Sequence, residues 1–242
     1  MSGKWTEYIR SVTPYTPGEQ PKDENIIKLN TNENPYGPSP EIRRAIEEMD
    51  EELYRKYPDP TANDLVETIS NYHSVSPKNV FVGVGSDDVL GMCFMTFFNS
   101  DKPILFPDIT YSFYPVWARL LRIPYKEQGL NEDFTIDTND YTSVGNGGIV
   151  IPNPNAPTGI LLGRDSIIEI LRANPDSVVI IDEAYIDFAP KGSSVVDLID
   201  EFDNLIVVRT FSKSRSLAGL RIGYAVSNEE VIKYLNDVKY SY

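Results

Sequence analysis

Between residues 79 and 239, short apolar runs alternate with segments whose apolar residues recur at three- and four-residue spacing. The runs are "NVFVGVG" (79–85), "PILFP" (103–107), "GGIVIPN" (147–153), "SVVIIDE" (177–183), "NLIVVRTF" (204–211) and "LRIGYAV" (220–226). None shows the polar alternation of a half-exposed strand. Helical patterns follow at 86–98, 110–121, 163–173, 193–201 and 228–239. Buried strands each followed by a helix predict a largely parallel sheet covered on both faces, an α/β fold. About ten residues separate the last two runs, too few for a crossover helix, so the last strand is predicted to run antiparallel.

Upstream the pattern changes. "SPEIRRAIEEMDEEL" (39–53) predicts a helix with Ser39 as its cap, Pro40 at the first position and Glu41 at the positive end. Its apolar stripe is Ile42, Ala45, Ile46, Met49 and Leu53. "YPDP" (57–60) stops it, and Leu65, Val66, Ile69 and Tyr72 mark the next helix. Residues 1–38, rich in Pro, Asn, Thr and Gly and without periodicity, predict an extended arm laid over a neighbouring surface, often that of a partner subunit. The predicted division is an arm at 1–38, one large domain at 39–228, and at 229–242 the start of a helix leading onward.

Composition narrows the chemistry. With 41% hydrophobic and 24% charged residues in 242, the chain has the make-up of a folded protein with one sizeable core. A net charge of −14 argues against nucleic acid or an anionic membrane as the main partner and favours small-molecule chemistry. The single cysteine, Cys93, sits in the apolar run "VLGMCFMTFF". It is expected to be a buried, inert thiol, in keeping with a reducing cytoplasm. "MSGKWTEYIR" lacks the apolar core of a signal peptide, and the longest apolar run, ten residues at 89–98, is too short to cross a bilayer. A soluble, cytoplasmic protein is expected. The one histidine, His73, reads as a surface or capping residue, and no metal is expected.

In an open α/β sheet, ligands bind beyond the carboxyl ends of the strands, so the residues there form one candidate site. "GVGSDD" (83–88) lacks the third glycine of a dinucleotide loop, because position 88 is Asp. What it offers is a helix N-terminus at Gly85, Ser86 and Asp87, suited to a phosphate or simply capped by its own acids. Asp108 and Tyr111 follow the next strand, and "NPNAPTG" (153–159) the one after. Asp182 follows four apolar residues, with Tyr185 close behind. A carboxylate there needs a cation, and a protonated pyridine nitrogen would serve, although a cap or a structural ion pair would also account for it. Lys213 lies among Arg209, Arg215 and Arg221, with no acid between Asp203 and Glu229. Cationic neighbours and desolvation favour the neutral amine that forms a Schiff base, and Ser212 with Arg221 could bind an anion.

"LNTNENPYGPSP", "GVGSDD", "NPNAPTG", "IIDEAYIDF" and "SKSRSLAGLRIGY", in this order, resemble the fold-type I pyridoxal-phosphate aminotransferases, most closely the histidinol-phosphate aminotransferases. The resemblance implies a three-layer α/β/α domain on a mostly parallel seven-stranded sheet. It also implies pyridoxal 5'-phosphate as cofactor, exchange of an amino group between histidinol phosphate and 2-oxoglutarate in histidine biosynthesis, and a homodimer. Lys213 would hold the cofactor and then shuttle the proton at substrate Cα. Asp182 would pair the pyridine nitrogen, Tyr185 would bond O3' and Tyr111 would stack on the ring. Gly85, Ser86, Asp87, Ser212 and Arg221 would bind the phosphate, and Tyr57 would reach the phosphate of the neighbouring subunit. Tyr15 and Asn34 would lie near the substrate.

The family carries an asparagine bonded to O3' directly before "PTG", whereas this chain has Ala156. Either Asn155 reaches in, or Tyr185 holds O3' alone. Members also continue into a small C-terminal domain that holds the arginine for the substrate carboxylate. An aromatic amino acid aminotransferase, a phosphothreonine decarboxylase of similar fold and a silent cofactor-binding fragment remain open alternatives.

Overall fold

Seven strands form one sheet in the order β1-β7-β6-β5-β4-β2-β3. The computed structural model describes residues 7, 9–10, 12–16, 18–19, 22 and 25–241. The remaining positions of the predicted arm lie outside the described residues. The strands are β1 (Val80–Gly83), β2 (Ile104–Pro107), β3 (Tyr125–Gln128), β4 (Gly148–Pro152), β5 (Val179–Asp182), β6 (Leu205–Thr210) and β7 (Gly223–Val226). The helices are α1 (Pro40–Glu47), α2 (Asn63–His73), α3 (Ser86–Phe97), α4 (Tyr114–Leu121), α5 (Asn139–Thr142), α6 (Arg164–Ala173) and α7 (Glu229–Val238). Pairing is parallel from β3 through β2, β4 and β5 to β6. Strand β7 runs antiparallel between β6 and β1, as the short connection predicts.

Alternation along the strands sorts the core into two layers. Ile149, Ile151, Val179, Ile181, Leu205 and Val207 face one side with residues of α2 and α6. Val150, Ile180, Ile206, Val208 and Ala225 face the other, against α3, α4 and α7. Cys93 is fully buried in this second layer, where burial pushes its thiol well above the usual range. No helix among the described residues is long and apolar enough to cross a membrane.

Several predicted elements differ. The helix expected over 39–53 ends at Glu47, and a 3-10 turn, Glu51–Arg55, follows. Ser39 caps as expected, but α1 buries no residue, and Ile46 in it, with Met49 and Leu53 beyond its end, faces outward within this chain. The helix expected from 110 begins at Tyr114, with a proline in its first turn. The pattern at 193–201 yields only a 3-10 turn, Val196–Asp200, rather than a helix. Strand β3, "YKEQ", has too few apolar residues to form a run. It is an edge strand, where charged side chains guard against stray pairing.

Gly223 fixes how closely β7 approaches the start of α3. It pairs with Gly83 on one side and Thr210 on the other, and a Cβ here would overlap the backbone of Gly85 and Ser86. Gly223→Ala is expected to lower the unfolding free energy by roughly 1–3 kcal/mol, read as a lower urea midpoint at unchanged slope. Gly219→Ala, with open space around the new methyl, is the control. Equal midpoints for the two variants would mean that β7 can simply move aside.

Candidate active site

Because β7 alone runs backwards, the carboxyl ends of β1, β2, β4, β5 and β6 meet the amino end of β7 at one edge of the sheet. A cavity of about 220 Å³ opens there, and Ser86, Asp87, Tyr111, Asp182, Tyr185, Ser212, Lys213 and Arg221 all line it. These residues come from five separate chain segments, so their meeting is a product of the fold.

Asp182 ends β5, the central strand, and is 5% exposed. It shares the face of Ile180, so its carboxylate enters the layer that holds α4. The Tyr114 hydroxyl donates to its Oδ2 at 2.8 Å, and the Ala184 N–H donates to Oδ1 at 3.2 Å. Among the described residues Asp182 forms no ion pair by side-chain distance. Burial pushes its pKa from the usual 3.8 to about 6, while these two donors pull the other way. Tyr114 is the functional neighbour that sequence reasoning missed. Its signal was the three-residue step from Tyr111, which sets two phenols on one side of a helix start. Burial raises both phenols well above their usual range. The Tyr111 hydroxyl donates to Asp87 Oδ1 at 2.7 Å, which fixes the ring at the cavity wall.

The other end of the cavity gathers hydrogen-bond donors. The first turn of α3 leaves its N–H groups without partners inside the helix. Gly85 precedes that turn with φ of 89°, and an added Cβ would collide with the Arg221 guanidinium. Arg221 itself adopts φ of 54° after the 3-10 turn Ala218–Leu220, and donates to the Ala218 carbonyl. The Ser212 N–H and hydroxyl are set by Thr210, whose Oγ1 accepts from the N–H at 3.1 Å and donates to the hydroxyl at 3.0 Å.

Lys213 Nζ donates to the carbonyls of Thr31 and Asn32 at 3.0 and 3.3 Å, and it lies 5.4 Å from the centroid of the Tyr185 ring. The arm therefore closes the site of its own chain. Asn32 donates to the Tyr185 oxygen at 3.0 Å, and Asn34 to the Lys213 carbonyl at 3.1 Å. Glu33, tied to Lys28, lines the cavity as well.

Four expectations change. The basic stretch is not a cluster around the lysine: Arg209 lies on the opposite face, paired with Glu183 and Asp187, and Arg215 packs over Tyr72 and Phe211. Only Arg221 shares the cavity with Lys213. Asn155 does not reach the site, because its amide donates to the Ile109 carbonyl and accepts from Thr110, while Ala156 lines the cavity. Asp108 likewise accepts from backbone N–H groups of Ile109 and Leu130 and does not line the cavity. His73 is part-buried, 2.9 Å from the Tyr224 hydroxyl, and burial with nearby Arg209 lowers its pKa to about 4. Four more predicted residues, Gly85, Asn34, Tyr15 and Tyr57, do not line the cavity. Tyr15 packs edge-on to Phe113 at 5.6 Å, and Tyr57 is 80% exposed.

The family model for "Aminotransferase class I and II" matches residues 24–242. The chain is 52% identical along its whole length to a histidinol-phosphate aminotransferase of Clostridium botulinum, spanning 68% of that protein. A protein of Dechloromonas aromatica named histidinol-phosphate aminotransferase 2 is also 52% identical, with the same coverage. Among solved structures, histidinol-phosphate aminotransferase from Clostridium acetobutylicum superposes with a TM-score of 0.80 at 26% identity, over 87% of this chain and 64% of that one. The fold also matches the enzyme of Sinorhizobium meliloti solved in complex with pyridoxal-5'-phosphate, with a TM-score of 0.81 at 24% identity over 87% of this chain and 59% of that one. The chain thus spans a little under two thirds of these solved chains. Matched by the family model over most of its length and by close relatives over all of it, the chain belongs to the class I and II aminotransferases.

Proposed function

We propose that this chain is the cofactor-binding part of a pyridoxal 5'-phosphate-dependent aminotransferase that exchanges an amino group between histidinol phosphate and 2-oxoglutarate, in the histidine biosynthesis of the cytoplasm. Residues 1–38 serve as its arm, 39–228 as its cofactor domain and 229–242 as the start of a connecting helix. The observation that carries this is the convergence of an amine, Lys213, a buried carboxylate, Asp182, and an anion cradle at Arg221 on one cavity. The 52% identity to histidinol-phosphate aminotransferases supports the choice of substrate.

The residues fit the cofactor. Asp182 is a buried carboxylate held by two neutral donors, and a protonated ring nitrogen would supply the cation that burial calls for. Arg221, Ser212 and the first turn of α3 at Gly85, Ser86 and Asp87 form a donor set for a phosphate. When bound, pyridoxal phosphate supplies an aldehyde that combines with amines and a ring that accepts the electron pair freed at substrate Cα. Asp182 keeps a proton on the ring nitrogen, and Tyr114 and Ala184 help hold Asp182 as the anion. Tyr111 covers the ring. With Asn155 turned away, Tyr185 is the side chain for O3', and Asn32 fixes its hydroxyl. Lys213 Nζ anchors the cofactor and carries the Cα proton. Asn34 holds the lysine backbone beside the substrate, with Tyr15 further out.

A second copy of the chain is proposed to cover α1 and the turn after it, bringing Tyr57 to the partner's cofactor phosphate. The outward apolar side chains Ile46, Met49 and Leu53 support this, since apolar surface of this kind marks interfaces.

Three outcomes are expected. Incubated with pyridoxal phosphate, the chain develops a visible absorption band that borohydride abolishes, and Lys213→Ala does not. A Lys213→Ala variant with the same band would remove the lysine from its role. In sedimentation velocity the chain runs as a dimer and Ile46→Glu/Leu53→Glu as a monomer, whereas a wild-type monomer would contradict the proposed interface.

The third concerns pH. The folded pKa of Asp182 lies above its usual value. Well below pH 3.8 both folded and unfolded states carry the proton; between 3.8 and about 6 the unfolded state releases a proton that the folded state keeps, so stability falls, and above about 6 the apoprotein buries the full charge. The cost is on the order of 3 kcal/mol. Asp182→Asn removes it, so the variant's stability advantage in urea should grow between about pH 4 and pH 7 while its hold on pyridoxal phosphate weakens. An advantage independent of pH would show that the carboxylate is not paying for its burial.

A further inference from the structure

Behind the cavity, on the face of the sheet away from Asp182, lies a set of buried charges that the proposed chemistry does not use. Arg209 on β6 is 6% exposed and sits between two acids of the segment after β5. Its Nε lies 3.7 Å from Glu183 Oε2, and its Nη2 donates to Asp187 Oδ1. Glu183, 1% exposed, also accepts from the Ser194 hydroxyl and the Val195 N–H, each at 2.7 Å. On the far side of the guanidinium, Nη1 is 3.5 Å from His73 Nε2.

Two carboxylates for one guanidinium need a reason. Glu183 lies at the guanidinium's Nε and Asp187 accepts from its Nη2, while burial raises the Glu183 pKa against the pull of Arg209. The second oxygen of Asp187 is not needed for that. It accepts from the Ser214 hydroxyl, and Ser214 directly follows Lys213. Lysine has a flexible stem, so the place of its Nζ depends on how firmly its backbone is held. The segment between β6 and β7 is neither strand nor α-helix around Lys213. Its other anchors there include Asn34 of the arm, at the Lys213 carbonyl, and a bond from the Ser216 N–H to that same carbonyl.

We propose that Asp187 is a positioning residue for Lys213: one carboxylate oxygen grips the buried Arg209 and the other grips Ser214, so the lysine turn is fixed to the core of the sheet. The role rests on the cofactor reading above. It separates Asp187 from the neighbouring Asp182, which faces the cavity directly.

The test compares two ligands on the purified 242-residue chain. Pyridoxamine phosphate has an amine where pyridoxal phosphate has an aldehyde, so it can occupy the site but cannot join to Lys213. Ser214→Ala and Asp187→Asn are expected to bind it within about twofold of wild type, the range of a peripheral change. With pyridoxal phosphate, where the Lys213 amine adds to the aldehyde carbon and water leaves, the visible band should form about tenfold more slowly, as expected for a lost hydrogen bond that misplaces a reacting group. Ser214→Thr, which keeps the hydroxyl, should restore the rate. Ser214→Ala carries the test should Asp187→Asn fail to fold. A wild-type rate in Ser214→Ala overturns the positioning role, as does a parallel loss of pyridoxamine phosphate binding, which would signal general damage. A wild-type chain that forms no band overturns the cofactor reading and this proposal together.

Discussion

The site depends on keeping the Asp182 carboxylate buried at the end of the central strand with no ion pair to it among the described residues. Four apolar residues deliver it there, and Tyr114 and Ala184 satisfy its oxygens, while Lys213 in the same cavity offsets the charge only through space. A buried carboxylate in that condition carries a standing cost that a cationic ligand can relieve. On the proposed reading, that cost favours a ring that can hold a proton on nitrogen.

The sheet keeps this arrangement separate from the other charges. Alternation sends Asp182 to the layer of α3 and α4 and Arg209 to the layer of α2 and α6, so these two charges of the central strands lie on opposite faces of the sheet. Arg209 is matched instead by Glu183 and Asp187 on its own side. The single reversed strand has a comparable effect at the Arg221 end of the cavity. Running backwards, β7 brings Gly223 against Gly85 and sets Arg221, two residues before it, over the start of α3. The glycine at 223 is what lets the two segments touch.

The six apolar strands and the direction of the last one were legible in the sequence, because buried runs of β-branched residues leave a strong signal and a short connection excludes a crossover. So was the gathering of Ser86, Tyr111, Asp182, Tyr185, Ser212, Lys213 and Arg221, once strand ends were pooled. Strand β3 was hidden because an edge strand such as "YKEQ" is charged by necessity. Charge along the sequence also misled at Arg209, whose counter-ions come from a different segment and whose side chain points to the opposite face. The arm's contacts, Asn32 with Tyr185 and Thr31 with Lys213, join residues far apart in sequence and leave no periodic trace. The outward stripe of α1 has the pattern of a core helix, and pattern alone does not say whether the same chain supplies its partner surface.

The central claim, that Lys213 is the amine at which a pyridine aldehyde attaches, is tested most directly by locating the attachment. The chain is incubated with pyridoxal phosphate, reduced with borohydride, digested and sequenced by mass spectrometry. The account predicts the pyridoxyl phosphate group on the peptide that contains Lys213 and at no comparable yield on any other lysine. Label spread over exposed lysines such as Lys78 and Lys233, with Lys213 unmodified, would contradict it.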